Sequence, residues 1–472
     1  MDASTIAAIA TPLGSGGIGI IKISGPNAIG IASQIFRKST PNSGAENSNN
    51  PENTLYTSHR LYHGNIIDPV SEIAIDEVLL SVMRGPCSYT REDVVEINTH
   101  SGWLLMQRIL KLVLQQGAEP AKPGEFTLRA FSSGRIDLTQ AEAIADLINA
   151  RSESGLKVAA AQLGGELGHR VRAIRERVTR ALSLVYAGMD FGDDNDLEDP
   201  ILESVQILHS DVLPALQALV RRYDNKRYLR IGIRVVIAGK PNVGKSTLMN
   251  QLVEKERAIV TPVPGTTRDL IDQQFSIRGI PVILIDTAGL RKSRDPVERI
   301  GIQKAQEAVK TADLVLAMID GSAPCTEEDV NLLKMVKQST SKVILVINKI
   351  DKTGGGSLKD ITGMSNGMRN IGVSARYNQN LGNLKEMIFE TIMGSQDLNA
   401  GSRIIPNVRQ ADALEKSLKA VWGAITAADR NEWAETLAQE LEDALKFLGE
   451  VTGETQSEEV LDQVFRDFCI GK

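Results

Sequence analysis

Residues 239–246, Gly-Lys-Pro-Asn-Val-Gly-Lys-Ser, constrain the fold of this chain more than any other part of its sequence. They match the pattern GxxxxGK[ST] and lie between an apolar, strand-like segment and a helical one, as a phosphate-binding loop requires. The glycines of such a loop let backbone N–H groups surround phosphate oxygens, and the helix N-terminus adds its dipole. Lys245 is expected to reach the β- and γ-phosphates, and the Ser246 hydroxyl to bind Mg²⁺. The sequence therefore predicts a nucleotide site in an α/β domain.

Three more motifs follow strand-like segments further along the chain. Asp286-Thr287-Ala288-Gly289 supplies a carboxylate suited to hold Mg²⁺ through water and a Gly289 N–H that can sense the γ-phosphate. Asn348-Lys349-Ile350-Asp351 supplies a carboxylate that can accept two hydrogen bonds from guanine, whereas adenine has no such pair of donors. Ser374-Ala375 would complete the base pocket. Together with the phosphate loop, these motifs predict a guanine-nucleotide domain.

The segment between the phosphate loop and Asp286 has the residues of a switch region. Gly265-Thr266-Thr267 lies there, and a Thr hydroxyl could complete Mg²⁺ coordination when the γ-phosphate is present. In Ras-like enzymes a Gln after the glycine of the Asp-x-x-Gly motif orients the attacking water. Leu290 occupies that position here and cannot do so. Glu298 is the candidate for this role, and a solvated helix carboxylate is the alternative interpretation.

Apolar periodicity divides the chain into three kinds of region. Residues 1–134 are mixed α and β, with strands predicted at 19–23, 77–83 and 94–98 and a helix at 102–116. Residues 135–230 and 397–472 are helical, and Thr139 with Glu142 has the capping-box spacing that begins a helix. Residues 231–396 alternate buried-type strands with helices. The predicted fold class is multidomain α/β plus all-α, with an N-terminal α+β domain, a discontinuous helical domain and an inserted doubly wound domain.

Composition excludes several classes of protein. No run of about 20 apolar residues exists, and the N-terminus resembles neither a secretory signal nor an organellar transit peptide. The three cysteines, Cys87, Cys325 and Cys469, are scattered and build no disulfide framework, so a reducing, cytoplasmic setting is predicted. With 53 basic and 59 acidic residues the net charge is −6, so a nucleic-acid partner would have to meet a local basic surface.

Two charged segments outside the nucleotide domain invite interpretation. Residues 190–199 hold six acidic side chains but lack the glycine and terminal Glu of a calcium loop, which favours a solvated linker. Five arginines crowd one predicted helix and could meet RNA phosphates, although a solvated helix face explains them equally well. These arginines are Arg170, Arg172, Arg175, Arg177 and Arg180.

Several longer motifs together resemble one protein family. They are Ala-Thr-Pro at 10–12, Gly-Gly-Ile-Gly-Ile at 16–20, Tyr-Thr-Arg-Glu-Asp-Val-Val-Glu at 89–96, Lys-Pro-Gly-Glu-Phe-Thr-Leu-Arg-Ala-Phe at 122–131 and Asp-Leu-Thr-Gln-Ala-Glu-Ala at 137–143. With the inserted GTPase motifs and the final Cys-x-Gly-Lys, the chain resembles the tRNA modification GTPase MnmE (TrmE) family over essentially its whole length.

The resemblance implies an architecture, an activity and partners. The family's N-terminal domain binds folate and dimerises, its helical domain comes in two halves, and a Ras-like GTPase domain is inserted. With a flavin-dependent MnmG-type partner, in a heterotetramer, the family adds a carboxymethylaminomethyl or aminomethyl group to the wobble uridine of certain tRNAs. A formyl- or methylene-tetrahydrofolate supplies the one-carbon unit, and hydrolysis of GTP with Mg²⁺ and K⁺ is required.

The resemblance also implies roles for individual residues. Folate contacts fall on Lys22, Glu96, Arg135 and Lys472, with Lys and Arg exchanged at the first and third positions relative to many members. Potassium ligands fall on Asn242, Thr261, Val263 and Thr266, and magnesium ligands on Ser246 and Thr267. Glu298 matches the family's water-orienting glutamate, and Cys469 matches the cysteine of its tail. The predicted GTP contacts are Asn242, Val243, Gly244, Lys245, Ser246, Thr247, Thr261, Pro262, Val263, Pro264, Gly265, Thr266, Thr267, Asp286, Thr287, Ala288, Gly289, Asn348, Lys349, Asp351, Ser374 and Ala375.

Two other functions compete with a tRNA modification enzyme. Several GTPases with the same nucleotide motifs are RNA-binding switches in ribosome assembly, but such switches usually add a KH-type module with GxxG, and no convincing one occurs here. A stand-alone folate enzyme is the third possibility, and conversion of a folate cofactor without the flavoprotein would support it.

Overall fold

The computed structural model describes residues 4–12, 14, 16–39, 56–150, 152–191, 200–254, 272–286, 309–339, 342–352, 367–394, 404–430, 432–466 and 468–471. The chain divides into two units. The first comprises residues 1–145, 162–216 and 412–472, and the second comprises residues 146–161 and 217–411. The predicted four-segment division, with boundaries after residues 134, 230 and 396, stays a prediction.

The first unit contains a largely antiparallel sheet. Its described strands are β1 (Ile6–Ile9), β2 (Ile18–Ser24), β3 (Phe36–Lys38), β4 (Arg60–Ile67), β5 (Ala74–Met83), β6 (Val94–His100) and β7 (Glu119–Pro120). Their order is β3-β4-β5-β6-β2-β1-β7, and only the β1–β7 pair is parallel. Apolar residues alternate along the strands, so one face packs against α1 (Ala28–Ile35) and α2 (Trp103–Gln115). The three predicted strands and the predicted helix at 102–116 are confirmed.

Helices make up the rest of the described first unit, and some of them continue into the second. They are α3 (Glu125–Ser132), α4 (Leu138–Asn149), α6 (Glu166–Phe191), α7 (Pro200–Ile207), a π-helical turn (Leu208–Val212), α8 (Leu213–Ile231), α12 (Val408–Asp429), α13 (Ala434–Thr452) and α14 (Glu458–Arg466). Helix α6 packs against both α7 and α13. The two helical regions of the sequence are therefore neighbours in space.

The predicted capping box at Thr139 and Glu142 is wrong by two residues. Helix α4 begins at Leu138, and the Oδ1 atom of Asp137 accepts the N–H of Gln140 at 3.1 Å. The Gln140 side chain returns the bond by accepting the N–H of Asp137 at 3.0 Å. Thr139 instead lies buried in the first turn, and its hydroxyl donates to Asp137. An acidic N-cap with Gln at N3 satisfies two orphan N–H donors in the reciprocal manner of a capping box, two residues before the predicted pair.

The second unit is built around a sheet with the order β13-β12-β11-β8-β10-β9. Its described elements are β8 (Ile233–Gly239), α9 (Lys245–Glu254), β9 (Asp272–Ile277), β10 (Ile280–Asp286), β11 (Leu314–Asp320), α10 (Glu327–Ser339), β12 (Val343–Asn348), β13 (Arg369–Gly372) and α11 (Leu381–Met393). All pairs are parallel except β9 with β10, an antiparallel edge that was not predicted. Apolar side chains cover both faces, one of which also buries Val158 from α5 (Glu153–Leu163). The predicted doubly wound sheet is confirmed.

Candidate GTP and folate sites

The phosphate loop leaves the carboxyl end of β8 and enters α9. Lys245, the first residue of α9, is only 6% exposed, and its Nζ donates to the carbonyls of Gly239 at 2.8 Å and Lys240 at 2.6 Å. Asn242 and Gly244 have φ values of +63° and +100°, so the loop turns through the left-handed region at two places. A Cβ atom at Gly244 would collide with the Asn348 side chain, which requires glycine there.

The base-recognition motif is tied directly to this loop. Asn348 is 3% exposed, its Nδ2 donates to the carbonyl of Val243 at 2.8 Å, and its Oδ1 accepts the N–H of Ala375 at 3.0 Å. The Nζ of Lys349 donates to the carbonyl of Asn242 at 2.9 Å. One dipeptide therefore holds the phosphate loop on one side and the 374–375 loop on the other.

Asp351 is exposed at the end of this network. Its Oδ1 accepts a hydrogen bond from the Ser374 hydroxyl, with 2.6 Å between the two oxygens. This bond orients the carboxylate while leaving it accessible. A carboxylate accepts up to about four hydrogen bonds, so Asp351 retains capacity for two donors of a guanine edge. The arrangement suits the role predicted for this residue.

The structure brings together half of the predicted GTP contacts. Asn242, Val243, Gly244, Lys245, Ser246 and Thr247 lie on or next to the phosphate loop, beside Asn348, Lys349, Asp351, Ser374 and Ala375. Asp286 ends β10, which is the parallel neighbour of β8. The predicted residues outside the described part of the chain are Thr261, Pro262, Val263, Pro264, Gly265, Thr266, Thr267, Thr287, Ala288, Gly289, Glu298 and Lys472.

Asp320 contacts the candidate site through Lys349, although the sequence motifs did not indicate it. It ends β11, and its Oδ2 accepts a hydrogen bond from the Nζ of Lys349 at 2.5 Å. Burial opposes ionisation of Asp320, but hydrogen bonds from Lys349 and Ser322 outweigh it and lower the pKa of the carboxyl. Its place at the carboxyl end of a parallel strand was the available signal.

The described residues also fit the implied cations. Ser246 is exposed in the first turn of α9, directly after the loop that would hold the phosphates, so its hydroxyl is accessible to a phosphate-bound Mg²⁺. The Asn242 side chain is exposed, and its amide group forms no hydrogen bond within the described part of the chain. The side-chain oxygen is therefore accessible to a cation. The other implied ligands of both ions lie in the segments that the structure does not describe.

Three of the four predicted folate residues lie around one tyrosine in the first unit. The Lys22 Nζ lies 4.8 Å from the centre of the Tyr89 ring and 3.8 Å from Oε1 of Glu96 on the neighbouring strand. Arg135 stacks on the same ring at 4.8 Å and donates to the Tyr89 carbonyl at 2.9 Å. Burial raises the pKa of the Tyr89 hydroxyl, which also bonds to Thr127. Two cations beside an aromatic ring suit an anionic ligand with a planar ring system.

The C-terminal tail lies against this same unit. Phe468 packs on Phe465 with ring centres 5.3 Å apart, and the Cys469 carbonyl accepts the Gly124 N–H at 3.4 Å. Gly471 is buried with φ +94°, and a Cβ atom there would lie 2.5 Å from the Ile9 carbonyl oxygen. Glycine is therefore required at this position, which lies beside β1 and one strand from Lys22. Cys469 itself is exposed.

The arginines of α6 mostly have acidic partners. Arg172 pairs with Asp137 at 2.9 Å, Arg180 with Glu203 at 3.0 Å and Arg177 with Asp211 at 4.0 Å, and Arg175 contacts Glu454. These pairs compete with phosphate for the same guanidinium groups. The contacts favour the interpretation of this stretch as a helix face with internal ion pairs.

Comparison with known proteins decides which family has these features. The model of the MnmE helical domain matches residues 138–469, and that of the TrmE N-terminus, described as a GTP-binding protein, matches residues 5–135. The chain belongs to the MnmE (TrmE) family of tRNA modification GTPases. The MnmE resemblance and the predicted fold class are both confirmed.

Individual MnmE relatives align end to end with this chain. The tRNA modification GTPase MnmE of Carboxydothermus hydrogenoformans is 40% identical and covers 100% of both chains. That of Alkaliphilus oremlandii is 41% identical over 99% of each. Among solved structures, the G domain of the T. maritima FeoB iron transporter is 30% identical over 34% of this chain and 98% of its own, with a TM-score of 0.26. In the described part of this MnmE-family chain, no helix is both long and apolar enough to cross a bilayer.

Proposed function

We propose that this chain is a GTP-hydrolysing tRNA modification enzyme that works as a homodimer with an MnmG-type flavoprotein. Together they would add a carboxymethylaminomethyl or aminomethyl group to the wobble uridine of certain tRNAs, with a one-carbon unit from tetrahydrofolate. The full-length relatives named tRNA modification GTPase support this proposal. A reducing, cytoplasmic setting accords with it.

The observation that carries the proposal is the joining of phosphate loop and base motif through Asn348 and Lys349. Asn348 donates to the Val243 carbonyl and Lys349 to that of Asn242, so the motif that would recognise the base is hydrogen-bonded to the loop that would hold the phosphates. Lys245 would hold the β- and γ-phosphates while the loop N–H groups face their oxygens. Such positioning supplies most of the catalysis in phosphoryl transfer.

The cations would complete the hydrolytic site. Ser246 and Thr267 would hold Mg²⁺, which would offset the negative charge of the phosphates. Asn242, Thr261, Val263 and Thr266 would hold K⁺. Glu298 would orient the attacking water in place of the Gln that Leu290 replaces.

The folate part of the proposal rests on the cluster around Tyr89. Lys22 and Arg135 provide positive charge, and Glu96 can accept hydrogen bonds from the N–H groups of a pterin. The Cys469 carbonyl contacts the Gly124 N–H of the same unit. A carboxylate-bearing ligand with a flat ring is complementary to this set. Cys469 would serve the modification step from its exposed position.

Mass analysis of wobble uridines in a strain that lacks this protein tests the proposal. We expect the modified nucleoside to disappear and to return with the wild-type gene. Lys22→Met should fail to restore it and should weaken binding of a tetrahydrofolate derivative, while GTP hydrolysis by the purified variant persists.

Lys38→Met provides the matched control. Lys38 is an exposed lysine of the same sheet, with its Nζ 5.1 Å from the Tyr62 ring centre, and its loss should leave modification intact. Unchanged wobble uridines in the null strain would refute the substrate assignment. Normal folate affinity of Lys22→Met would refute the folate site alone.

A further inference from the structure

An ion pair between a partly exposed lysine and a buried aspartate links the phosphate loop to the start of α10. The Nζ of Lys240, the second residue of the loop motif, lies 2.9 Å from Oδ2 of Asp329 and also donates to the Thr326 hydroxyl. The Asp329 side chain is only 7% exposed, whereas Glu328, 3.6 Å from the same Nζ, is 82% exposed. Nothing in the four nucleotide motifs requires this pair.

Asp329 is also held in place by Thr326, independently of its contact with Lys240. Its Oδ2 accepts both the N–H and the hydroxyl of Thr326 at 2.9 Å, so the carboxylate caps the first turn of α10. Hydrogen bonding to Asp329 raises the pKa of the Lys240 ammonium. Burial opposes ionisation of Asp329, but bonds from Lys240 and Thr326 hold the pKa of its carboxyl below the usual value. Both partners are therefore charged at neutral pH.

The backbone of Lys240 connects this anchor to the phosphate-binding lysine. The Lys240 carbonyl accepts the Nζ of Lys245 at 2.6 Å and, with the Gly239 carbonyl, aims that ammonium across the loop. A shift of residue 240 would move one of the two acceptors that orient Lys245. Small displacements of a phosphate-binding cation are costly, because about 1 Å of misplacement can reduce a rate about 100-fold.

We propose that Lys240 and Asp329 are positioning residues for GTP binding and hydrolysis, and that they act by fixing the carbonyl that orients Lys245. The proposal rests on the GTPase activity and makes no use of folate, tRNA or the flavoprotein. Asp329 is distant from the phosphate loop in the sequence, yet it sets the geometry of that loop.

The test is a double-mutant cycle on the full-length protein, with Lys240→Met, Asp329→Asn and the double variant. Asn at 329 keeps an oxygen to accept the Thr326 N–H, so helix capping survives while the ion pair is lost. Affinities for fluorescent GDP and GTP analogues are titrated, and turnover is measured at saturating GTP. All measurements are made at a temperature where circular dichroism shows every variant folded.

Each single variant should bind nucleotide about tenfold more weakly, the loss expected for one hydrogen bond to a charged group. The double variant should lose little more than either single one, because the two residues act through one contact. Lys240→Arg should recover most of the affinity. Preference for GTP over xanthosine triphosphate should stay unchanged in all variants, because Asp351 is untouched.

Glu328→Gln is the control, since it removes an exposed carboxylate near the same ammonium and should leave affinity and turnover unchanged. Wild-type affinity and turnover in Lys240→Met, with or without a lower melting temperature, would overturn the proposal. Strictly additive losses in the double variant would overturn it as well. If Lys240→Met fails to fold, the comparison of Asp329→Asn with Glu328→Gln decides. Absence of GTPase activity in the wild type would instead count against the proposed function.

Discussion

Asp351 shows how a single side chain is prepared for one base. The Ser374 hydroxyl fixes one carboxylate oxygen at 2.6 Å, and Asn348 fixes the loop that carries Ser374 through the Ala375 N–H. The carboxylate therefore meets its ligand already oriented, which reduces the ordering cost of binding. Base selectivity at this residue depends on charge and direction together.

Asp351→Asn should weaken GTP binding about 10- to 150-fold, because a hydrogen bond to a charged group contributes about 1.5–3 kcal/mol. The variant should favour xanthosine triphosphate, whose base presents an acceptor where guanine presents a donor. Asn still offers an oxygen to Ser374, so the loop should keep its conformation. Competitive titration with both nucleotides measures the change, and Lys352→Gln, an exposed neighbour, is the control. Unchanged GTP affinity would contradict the assignment of this motif.

At the scale of elements, periodicity predicted the buried strands well and the open ones poorly. Strands β8, β10, β11 and β12 of the second unit are apolar on both faces, so short Val and Ile runs identify them without tertiary information. Strand β4, with Leu61 and His63 on its exposed face, has no such run and was not predicted. Strand β9 was also missed, because its pairing to β10 follows from a hairpin and not from its own pattern. The capping error at Asp137 arose because Thr139 and Glu142 have the same spacing as the true pair.

The candidate site was predictable to the extent that it lies in contiguous motifs. The spacing of the Asn-Lys-x-Asp motif identifies Asn348 and Asp351 from the sequence. Only the folded structure shows that Asp320 and Asp329 contact residues of these motifs. Thr326 and Asp329 do have capping-box spacing, but nothing in that pattern says that Lys240 lies opposite. Contacts between distant segments depend on strand order, and the sequence alone does not specify that order.

Strand β6 ends in an exposed histidine, and a largely buried carboxylate on the neighbouring strand stabilises its positive charge. Asp76 on β5 accepts the backbone N–H of His100 at 2.9 Å and contacts its Nδ1 at 2.7 Å. The hydrogen bond to Asp76 raises the pKa of His100, and the nearby Glu77 adds to the effect. Burial opposes ionisation of Asp76, but bonds from Thr99 and His100 lower the pKa of its carboxyl. Both charges therefore stabilise the folded sheet.

The contribution of this pair should depend on pH. Because the pKa of His100 is raised in the folded protein, its contribution to stability is fully present below the unfolded histidine pKa of about 6.5. This contribution is lost as pH rises through the folded-state pKa. Because the pKa of Asp76 is lowered in the folded protein, its contribution to stability is present above the unfolded aspartate pKa of about 3.9. This contribution is lost as pH falls through the folded-state pKa. His100→Gln should therefore reduce the thermal midpoint more at about pH 5 than at pH 9. Equal reductions at both pH values would argue against the pair.

The C-terminal tail is an element whose removal should separate the two activities. Deletion after Phe468 removes Cys469, Gly471 and Lys472, and should abolish tRNA modification while GTP hydrolysis persists in the second unit. Gly471→Ala should act in the same direction, because its Cβ would press on the Ile9 carbonyl. Ile470→Ala, at an exposed position of the tail, is the control. Complementation of a null strain measures the outcome, and a truncated protein that restores modification would show the tail to be dispensable.

At the scale of the whole molecule, hydrolysis should depend on two copies of the chain. Phosphoryl transfer develops charge that Ras-like enzymes offset with an arginine finger worth about 10³–10⁵ in rate. Asn242, with an accessible amide oxygen, suggests a monovalent cation in that role. Residues 261–266, bound around the ion, would present a surface for a second nucleotide domain.

Potassium should therefore accelerate GTP turnover relative to sodium at equal ionic strength. Asn242→Gly should lose this acceleration. Glycine is preferred to alanine as the substitution because residue 242 has φ +63°, which glycine adopts without strain. Turnover measured in both salts, with light scattering to follow dimerisation of the nucleotide domains, checks the expectation. Equal wild-type rates in the two salts would reject the cation.

The pairing of α6 with α13 has a consequence for synthesis on the ribosome. Val171, Val178 and Val185 form a buried stripe on α6, and the Tyr186 hydroxyl donates to Glu442 of α13 at 2.6 Å. Helix α7 follows α6 directly, but α13 is translated only after the entire nucleotide-binding segment, so the part of α6 that packs against α13 emerges long before that helix exists. The nascent chain must carry an exposed apolar face through most of its elongation, a state that chaperones commonly shield. Nascent chains stalled before residue 434 should therefore sediment with chaperones, whereas chains stalled after complete exit of α13 should no longer bind them.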